Sequence, residues 1–243
     1  MIVLRTPEEL SAYLKDKGCK PGCFADTSFL YGVAYDDDRL FEKANDVHDL
    51  LAENSVPIYA NVISRMEFVD LIFRKQMTSA CISLFSQLQW SASNQTLFNL
   101  LKNIRDQDTA AQGRKESYKI NESHLKKLRK LIIESAASTD WKRFCDKYVG
   151  SMLVSEWELV EDELGLNFVE ILEGATSEFF DEALLWNDMV QVMGKNGMRG
   201  PDAMILNLFL KSKFPLLITG DSDFESCLKD SGASATEKAI LIL

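Results

Sequence analysis

One stretch near the end of the chain restricts the fold more than any other, because a helix signal and a buried strand follow each other directly. Gly200-Pro201-Asp202 is typical of a helix N-terminus, since proline is tolerated in the first turn. The run 216–218 predicts a short buried strand that stops at Thr219-Gly220-Asp221. Such a unit is half of an α/β repeat, and ligands of parallel sheets collect beyond the carboxyl ends of the strands. The helix itself is indicated by apolar residues at helical spacing: Ile205, Leu206, Phe209 and Leu210.

Short apolar runs alternate with helical segments along the rest of the chain, which favours an α/β fold with a three-layer α/β/α arrangement around a parallel sheet. Thr6 and Asn61 are predicted helix caps, Glu9 completes a capping box with Thr6, and Thr176-Ser177 is predicted to cap a helix that runs to Gly194. A further helix is expected at about 40–51. The predicted strands are 23–26, 56–59, 167–172, 216–219 and 239–243.

The segment from about 80 to 165 contains only helical patterns. Because strand signals lie on both sides of it, we predict one domain, 1–243, with residues 80–165 as a helical insertion between two halves of the sheet.

The charge balance limits the function. The chain has 27 basic and 37 acidic residues and a net charge of −10, so it lacks the general basic footprint of a nucleic-acid-binding protein. A phosphate-bearing substrate would need a local basic patch or metal ions. The five cysteines form no C-x-x-C pair and are expected to be reduced thiols of a cytoplasmic protein. Neither a signal peptide nor a membrane helix is predicted.

Acidic residues stand at four of the predicted strand ends or helix starts. Carboxylates gathered at one edge of a sheet would repel each other unless a cation lay among them. Mg2+ prefers oxygen ligands and keeps water and substrate phosphate in its shell, so these residues predict a metal site that acts on a phosphodiester. The candidates are Asp26, Glu67, Asp202, Asp221 and Asp223.

Four segments in order resemble the PIN domain, a family of metal-dependent ribonucleases that includes VapC-type toxins of bacterial toxin–antitoxin pairs. They are Phe24-Ala25-Asp26-Thr27-Ser28, Ser64-Arg65-Met66-Glu67, 200–205 and 217–224. The last resembles the family's strand-Thr-x-Asp-x-Asp-Phe ending most specifically.

The resemblance covers about 22–78 and 165–243, and it implies a Mg2+- or Mn2+-dependent endoribonuclease that leaves 5′-phosphate and 3′-hydroxyl ends. Asp26, Glu67, Asp202 and Asp221 would be the metal ligands, and Asp223 a spare carboxylate. Thr27 and Thr219 would assist as hydroxyls. RNA would be the substrate, with an antitoxin or another protein, or a second copy in a homodimer, as possible partners.

Each acidic residue also has a purely structural interpretation. Asp202 suits a helix N-terminus, where negative charge is stabilising. Ser64-x-x-Glu67 fits a capping box, although a helix start at Asn61 weakens that interpretation. Asp26-Thr27 and 221–223 fit turns that bond their own backbone. The occurrence of all four acidic positions in this order favours a metal site over four separate structural roles.

Two other functions remain open. One is a PIN-like scaffold or RNA-binding subunit without cleavage. The other is a small-molecule phosphatase with a D-x-D-x-T loop, but 26–28 lacks the second aspartate and 221–225 lacks the threonine.

Other candidate groups lie on predicted helices. A basic cluster suggests an RNA-backbone contact, but Glu116 and Glu122 are interspersed and favour a solvated face. The four tryptophans can stack on bases, but their apolar neighbours favour core positions, and His48 and His124 are interpreted as structural. The basic residues are Arg114, Lys115, Lys119, Lys126, Lys127, Arg129 and Lys130, and the tryptophans are 90, 141, 157 and 186.

Overall fold

The computed structural model describes residues 1–88, 94–134, 140–169, 178–180, 182–228 and 238–243. It is an α/β structure with a six-stranded parallel sheet in the order β1-β6-β5-β2-β3-β4. The strands are β1 Ile2–Leu4, β2 Cys23–Ala25, β3 Ile58–Asn61, β4 Asn167–Val169, β5 Leu216–Thr219 and β6 Ala239–Ile242.

The predicted strands all have counterparts; the strand at 216–219 has the predicted ends, and the other four have shifted ends. The strand predicted at 56–59 begins after Pro57, which has no N–H for a sheet ladder, and runs to Asn61. The predicted 167–172 strand is described only as far as Val169, and 170–172 lie outside the described residues. The sequence did not predict β1, because three residues are too few for a periodic pattern. Pairing with β6 defines this strand, with Val3 opposite Ile240.

The described helices are α1 Pro7–Lys17, α2 Thr27–Ala34, α3 Phe41–Glu53, α4 Val62–Gln87, α5 Gln95–Gln112, α6 Glu122–Glu134, α7 Trp141–Cys145, α8 Ser151–Leu164, α9 Trp186–Asn196, α10 Gly200–Lys211 and α11 Asp223–Leu228. A π-helical turn, Asp146–Gly150, follows α7. The sequence did not predict α2.

The N-terminal caps of α1 and α4 agree with prediction. The Thr6 hydroxyl accepts a bond from Glu9 N at 3.3 Å, while the Glu9 carboxylate accepts from Arg5 N rather than Thr6 N. The Asn61 amide oxygen accepts from the backbone N of Ile63 and Ser64 at 2.7 and 3.0 Å.

The predicted helix from Thr176-Ser177 to Gly194 is wrong at its start. Residues 182–185 are not helical, and α9 begins at Trp186 and ends at Asn196. Thr176 and Ser177 themselves lie outside the described residues. Lys211 lies beside this region and pairs with Glu182 and Asp188 at 3.4 and 2.5 Å. These long-range contacts have no signature in a local helical pattern.

Residue contacts divide the chain into two compact units. The first comprises Met1–Phe68 with Val160–Leu243, and the second comprises Val69–Leu159. The second unit overlaps the segment 80–165 that we predict to be an insertion.

In the first unit, α10 packs on the sheet. Phe209 on α10 belongs to one buried cluster with Phe24 on β2, Leu217 on β5 and Ile240 on β6. Phe214, just before β5, places its ring 5.5 Å from that of Phe24. This packing holds α10 against the sheet, and burying large apolar side chains of this kind stabilises a fold by about 1.5–3 kcal/mol each.

The second unit has its own apolar cluster, which includes Leu101, Ile104, Leu128 and Phe144. The Thr78 hydroxyl accepts a bond from Ile120 N at 3.0 Å within it.

The described cysteines Cys19, Cys23, Cys81 and Cys145 are free thiols. Burial raises the pKa of Cys19 and of Cys81 to about 12, so both thiols stay protonated at neutral pH. The side chain of Cys227 lies outside the described part. Within the described residues, no helix is both long and apolar enough to cross a bilayer.

Candidate functional site

The strand order creates a crevice between β2 and β5. From β2 the chain continues to β3 on one side, and from β5 it continues to β6 on the other, so their adjacent carboxyl ends form a topological switch point. Ala25 pairs with Ile218, and Asp26 N donates to Ile218 O at 3.0 Å. Asp26 and Thr219 therefore lie side by side at this edge.

The Asp26 carboxylate is held by three groups from both strand ends. One oxygen accepts from Thr27 N at 2.7 Å, which makes Asp26 the N-cap of α2. The other accepts from the hydroxyls of Ser28 at 2.7 Å and Thr219 at 2.8 Å. Gly220 N in turn donates to the Ser28 hydroxyl at 2.7 Å. Asp26 is 6% exposed, so these bonds fix the orientation of a buried carboxylate.

Glu67 reaches the same place from α4. The Thr27 hydroxyl lies 3.0 Å from the Glu67 carboxylate and 3.2 Å from Ser64 O. The Ser64 hydroxyl donates to Ala25 O at 3.2 Å and therefore does not cap α4. The capping-box interpretation of Ser64 and Glu67 is thus wrong, because Asn61 is the cap and Glu67 bonds to α2 instead.

The remaining acidic residues approach from the C-terminal segments. Asp202 is half-buried in the first turn of α10. Asp221 follows β5, and its N donates to the Thr219 hydroxyl at 3.0 Å. Asp223 N donates to the Asp221 carboxylate at 2.8 Å, which is the bond expected of an aspartate turn. The turn interpretation therefore holds for Asp221, and the exposed Asp223 stands at the rim.

The pKa values of three of these carboxylates are raised, in part by the charges of neighbouring carboxylates. Burial raises the pKa of Asp26, and the charge of Asp221 adds to the rise, against hydrogen bonds from Ser28, Thr219 and Thr27. Burial raises the pKa of Glu67, and the charges of Asp26 and Asp202 raise it further, while the Thr27 hydroxyl and Arg199 lower it. Burial also raises the pKa of Asp202; the charges of Asp26, Asp221 and Asp223 add to this rise, and Arg199 opposes it.

Arg199, Ser28 and Gly220 belong to this region, and the sequence analysis did not identify them. Arg199 precedes α10 and acts on both Glu67 and Asp202. Its position directly before the Gly-Pro-Asp helix start could have indicated that Arg199 lies near Asp202. Ser28 was within the quoted motif, but its bonds to Asp26 and Gly220 depend on how β5 pairs with β2.

The donor set suits a hard divalent cation. The side chains are carboxylates and hydroxyls, and the negative charges that act on Asp202 outnumber the single positive one. As they stand, no three His, Cys, Asp or Glu side chains within the described ranges are arranged to hold an ion. Mg2+ commonly uses only one or two carboxylates and completes its shell with water and phosphate, so the residues present are compatible with it.

Three of the seven residues of the basic cluster, Arg114, Lys126 and Lys130, pair with neighbouring acids. Arg114 bonds Glu116 at 3.2 Å, and Lys126 bonds Glu122 at 2.6 Å. Such exposed pairs are typical of a solvated helix face. Lys130 pairs with Glu134 in the same way.

The tryptophans have different environments. Trp157 is buried and Trp141 packs on Phe144, as expected of core residues. Trp186 is 56% exposed, so its interpretation as a core residue is wrong. Trp90 lies outside the described residues. His124 lies 3.3 Å from the Tyr118 hydroxyl, which agrees with a structural role.

The chain matches no protein-family model, no curated protein and no solved structure. The resemblance to the PIN domain stays a prediction.

Proposed function

We propose that the chain is a PIN-like endoribonuclease with a three-layer α/β/α sheet, which hydrolyses RNA phosphodiester bonds with Mg2+ or Mn2+ and acts as the toxin of a toxin–antitoxin pair. The observation that carries the proposal is the set of hydrogen bonds through Thr27 and Thr219 that brings Asp26, Glu67 and Asp221 to one sheet edge. The charge of Asp202 also acts on Glu67 there. Burying several like charges together is costly, and a bound cation would relieve that cost.

Each residue has a defined part in this proposal. Asp26, Glu67, Asp202 and Asp221 would hold the cation, and Asp223 would orient a water molecule from the rim. A divalent cation there would lower the pKa of water and neutralise charge at phosphorus. The water oxygen attacks phosphorus, the bond to the 3′ oxygen breaks, and that oxygen takes up a proton, which leaves 5′-phosphate and 3′-hydroxyl ends.

The test is cleavage of RNA by the wild type, Asp26→Asn and Asp221→Asn, with Mn2+ and with EDTA. Asp16→Asn is the matched control, because Asp16 is an exposed residue of α1 away from this edge. We expect cleavage only by the wild type and the control, and only with metal. Equal activity in all four proteins, insensitive to EDTA, would refute the assignment.

A second candidate is a non-catalytic PIN-like scaffold or RNA-binding subunit. It is favoured by the absence, among the described residues, of three side chains already placed to hold an ion. The two proposals differ in one measurement, because only the nuclease should melt at a higher temperature when Mn2+ is added.

A further inference from the structure

An apolar pocket of about 220 Å3 lies in the first unit, between the start of α4, the start of α9 and α10. This volume is below that of pockets for drug-sized ligands, so it suits one small flat group. Its described lining residues are Val62, Ile63, Leu184, Leu185, Trp186, Met204 and Asn207.

Asn207 is the feature of this pocket that packing does not explain. It is 3% exposed, and its side-chain amide makes no hydrogen bond to any residue in the described ranges. Its amide atoms are not among the fully buried polar atoms that lack a partner in the described ranges, so they are open to the pocket. A ligand that offers both a donor and an acceptor would satisfy this amide.

The pocket also carries an aromatic surface. Trp186 is 56% exposed, and Leu185 beside it is 47% exposed. An accessible indole is a stacking platform for any nucleobase, while an amide can read one base edge by paired hydrogen bonds.

The pocket and the carboxylates share two helices. Ile63 precedes Glu67 by one turn of α4, so both lie on one face about 6 Å apart along the axis. On α10, Asn207 follows Asp202 by about 7.5 Å of rise and about 140° of rotation, so the two side chains lie on different sides of that helix. A nucleotide that runs along the shared face of α4 can therefore place its phosphate near Glu67 and its base in the pocket at Ile63.

We propose that this pocket binds one nucleobase of the RNA substrate, with Asn207 reading the base edge and Trp186 stacking on its face. This inference rests on the proposed nuclease function for the identity of the substrate. It adds that the enzyme selects a base next to the cleaved bond.

The first experiment measures binding of adenosine, guanosine, cytidine and uridine to the full chain in EDTA. Free nucleosides carry no phosphate, so their binding needs no metal. We expect one nucleoside to bind more tightly than the others, and Asn207→Leu and Trp186→Ala each to weaken it about tenfold. Asn103→Leu, at an exposed position of α5, should change nothing.

A melting measurement distinguishes a binding role of Asn207 from a purely structural one. Asn207→Leu should melt at a higher temperature than the wild type, because it replaces a polar amide in an apolar pocket wall with an apolar side chain. A lower melting temperature with unchanged nucleoside binding would show that Asn207 only packs, and would overturn the proposal. Equal binding of all four nucleosides, or of none, would also overturn it. Binding of N-acetyl-leucinamide but of no nucleoside would assign the pocket to a protein side chain instead.

Sequencing of cleaved RNA separates this proposal from the nuclease assignment. If the wild type cleaves with a base preference that Asn207→Leu loses, both stand. If Asn207→Leu cleaves with the same base preference, the proposal of a base-binding pocket is refuted and the nuclease proposal is supported. If no RNA is cleaved but nucleoside binding depends on Asn207, the nuclease proposal is refuted and the proposal of a base-binding pocket is supported.

Discussion

The Thr219 hydroxyl donates a 2.8 Å hydrogen bond to the carboxylate of Asp26, a residue 193 positions earlier in the chain. The same hydroxyl accepts from Asp221 N at 3.0 Å. Thr219 therefore links the Asp26 carboxylate to the backbone of Asp221 through one oxygen, and it can do so because β5 pairs directly with β2.

Thr219→Val should weaken metal binding without unfolding the chain. Valine keeps the shape but removes the donor, so the pKa of Asp26, which this bond lowers, rises further. Groups that orient a ligand in this way are commonly worth 10–100-fold in affinity, and we expect a loss of roughly that size in an Mn2+ titration. Thr109→Val, on an exposed face of α5, is the control. Unchanged Mn2+ affinity in Thr219→Val would show that this bond does not support a metal ligand.

Stability without metal should depend on pH through Asp26. Burial raises the pKa of Asp26, so its contribution to stability is complete below its ordinary value and is lost as the pH rises through the raised one. Asp26→Asn has no charge to bury. The free energy of unfolding of the variant should therefore increase relative to that of the wild type as the pH rises from mildly acidic to neutral.

Urea unfolding in EDTA at a series of pH values measures this difference. Mn2+ should reverse the trend for the wild type alone, since only ionised carboxylates bind it. A difference between the two proteins that is constant with pH would contradict the buried, titrating carboxylate.

The sequence predicted the ends of β2 and β5 and the start of α10 at this edge, because each carries a local signal, but it did not predict α2. Asp26 directly follows an apolar run, and Asp202 follows Gly-Pro. The bonds between Ser28, Gly220 and Asp26 were not predictable, because they depend on which strands become neighbours. Short β1 was missed for the same reason, since its pairing with β6 defines it.

Arg199→Gln should move the pH at which Mn2+ binds. Arg199 lowers the pKa of Glu67 and of Asp202, so its loss raises both, and protons then compete with the metal up to a higher pH. The pH midpoint of Mn2+-dependent thermal stabilisation should shift upward. Arg129→Gln, on an exposed face of α6, should leave that midpoint in place. An unchanged midpoint in Arg199→Gln would mean that Arg199 does not act on these carboxylates.

Gly220→Ala tests how closely β5 and α2 must approach for Asp26 to be held. A methyl group there would lie 2.5 Å from Leu40 Cδ1 and 3.2 Å from Ser28 Cβ. The end of Leu40 can turn away, but Ser28 is fixed by its bonds to Asp26 and Gly220 N. We expect the free energy of unfolding to fall by about 1–3 kcal/mol, as in other overpacked sites, and Mn2+ affinity to fall with it.

Gly194→Ala is the matched control for Gly220→Ala, because a methyl group at Gly194 meets nothing within 4 Å and the residue lies inside α9. Alanine favours a helix interior over glycine, so this variant should gain about 0.5–1 kcal/mol in urea unfolding and bind Mn2+ as the wild type does. If Gly220→Ala gained stability as well and kept its Mn2+ affinity, the contact between Gly220 and Ser28 would not be holding Asp26 in place.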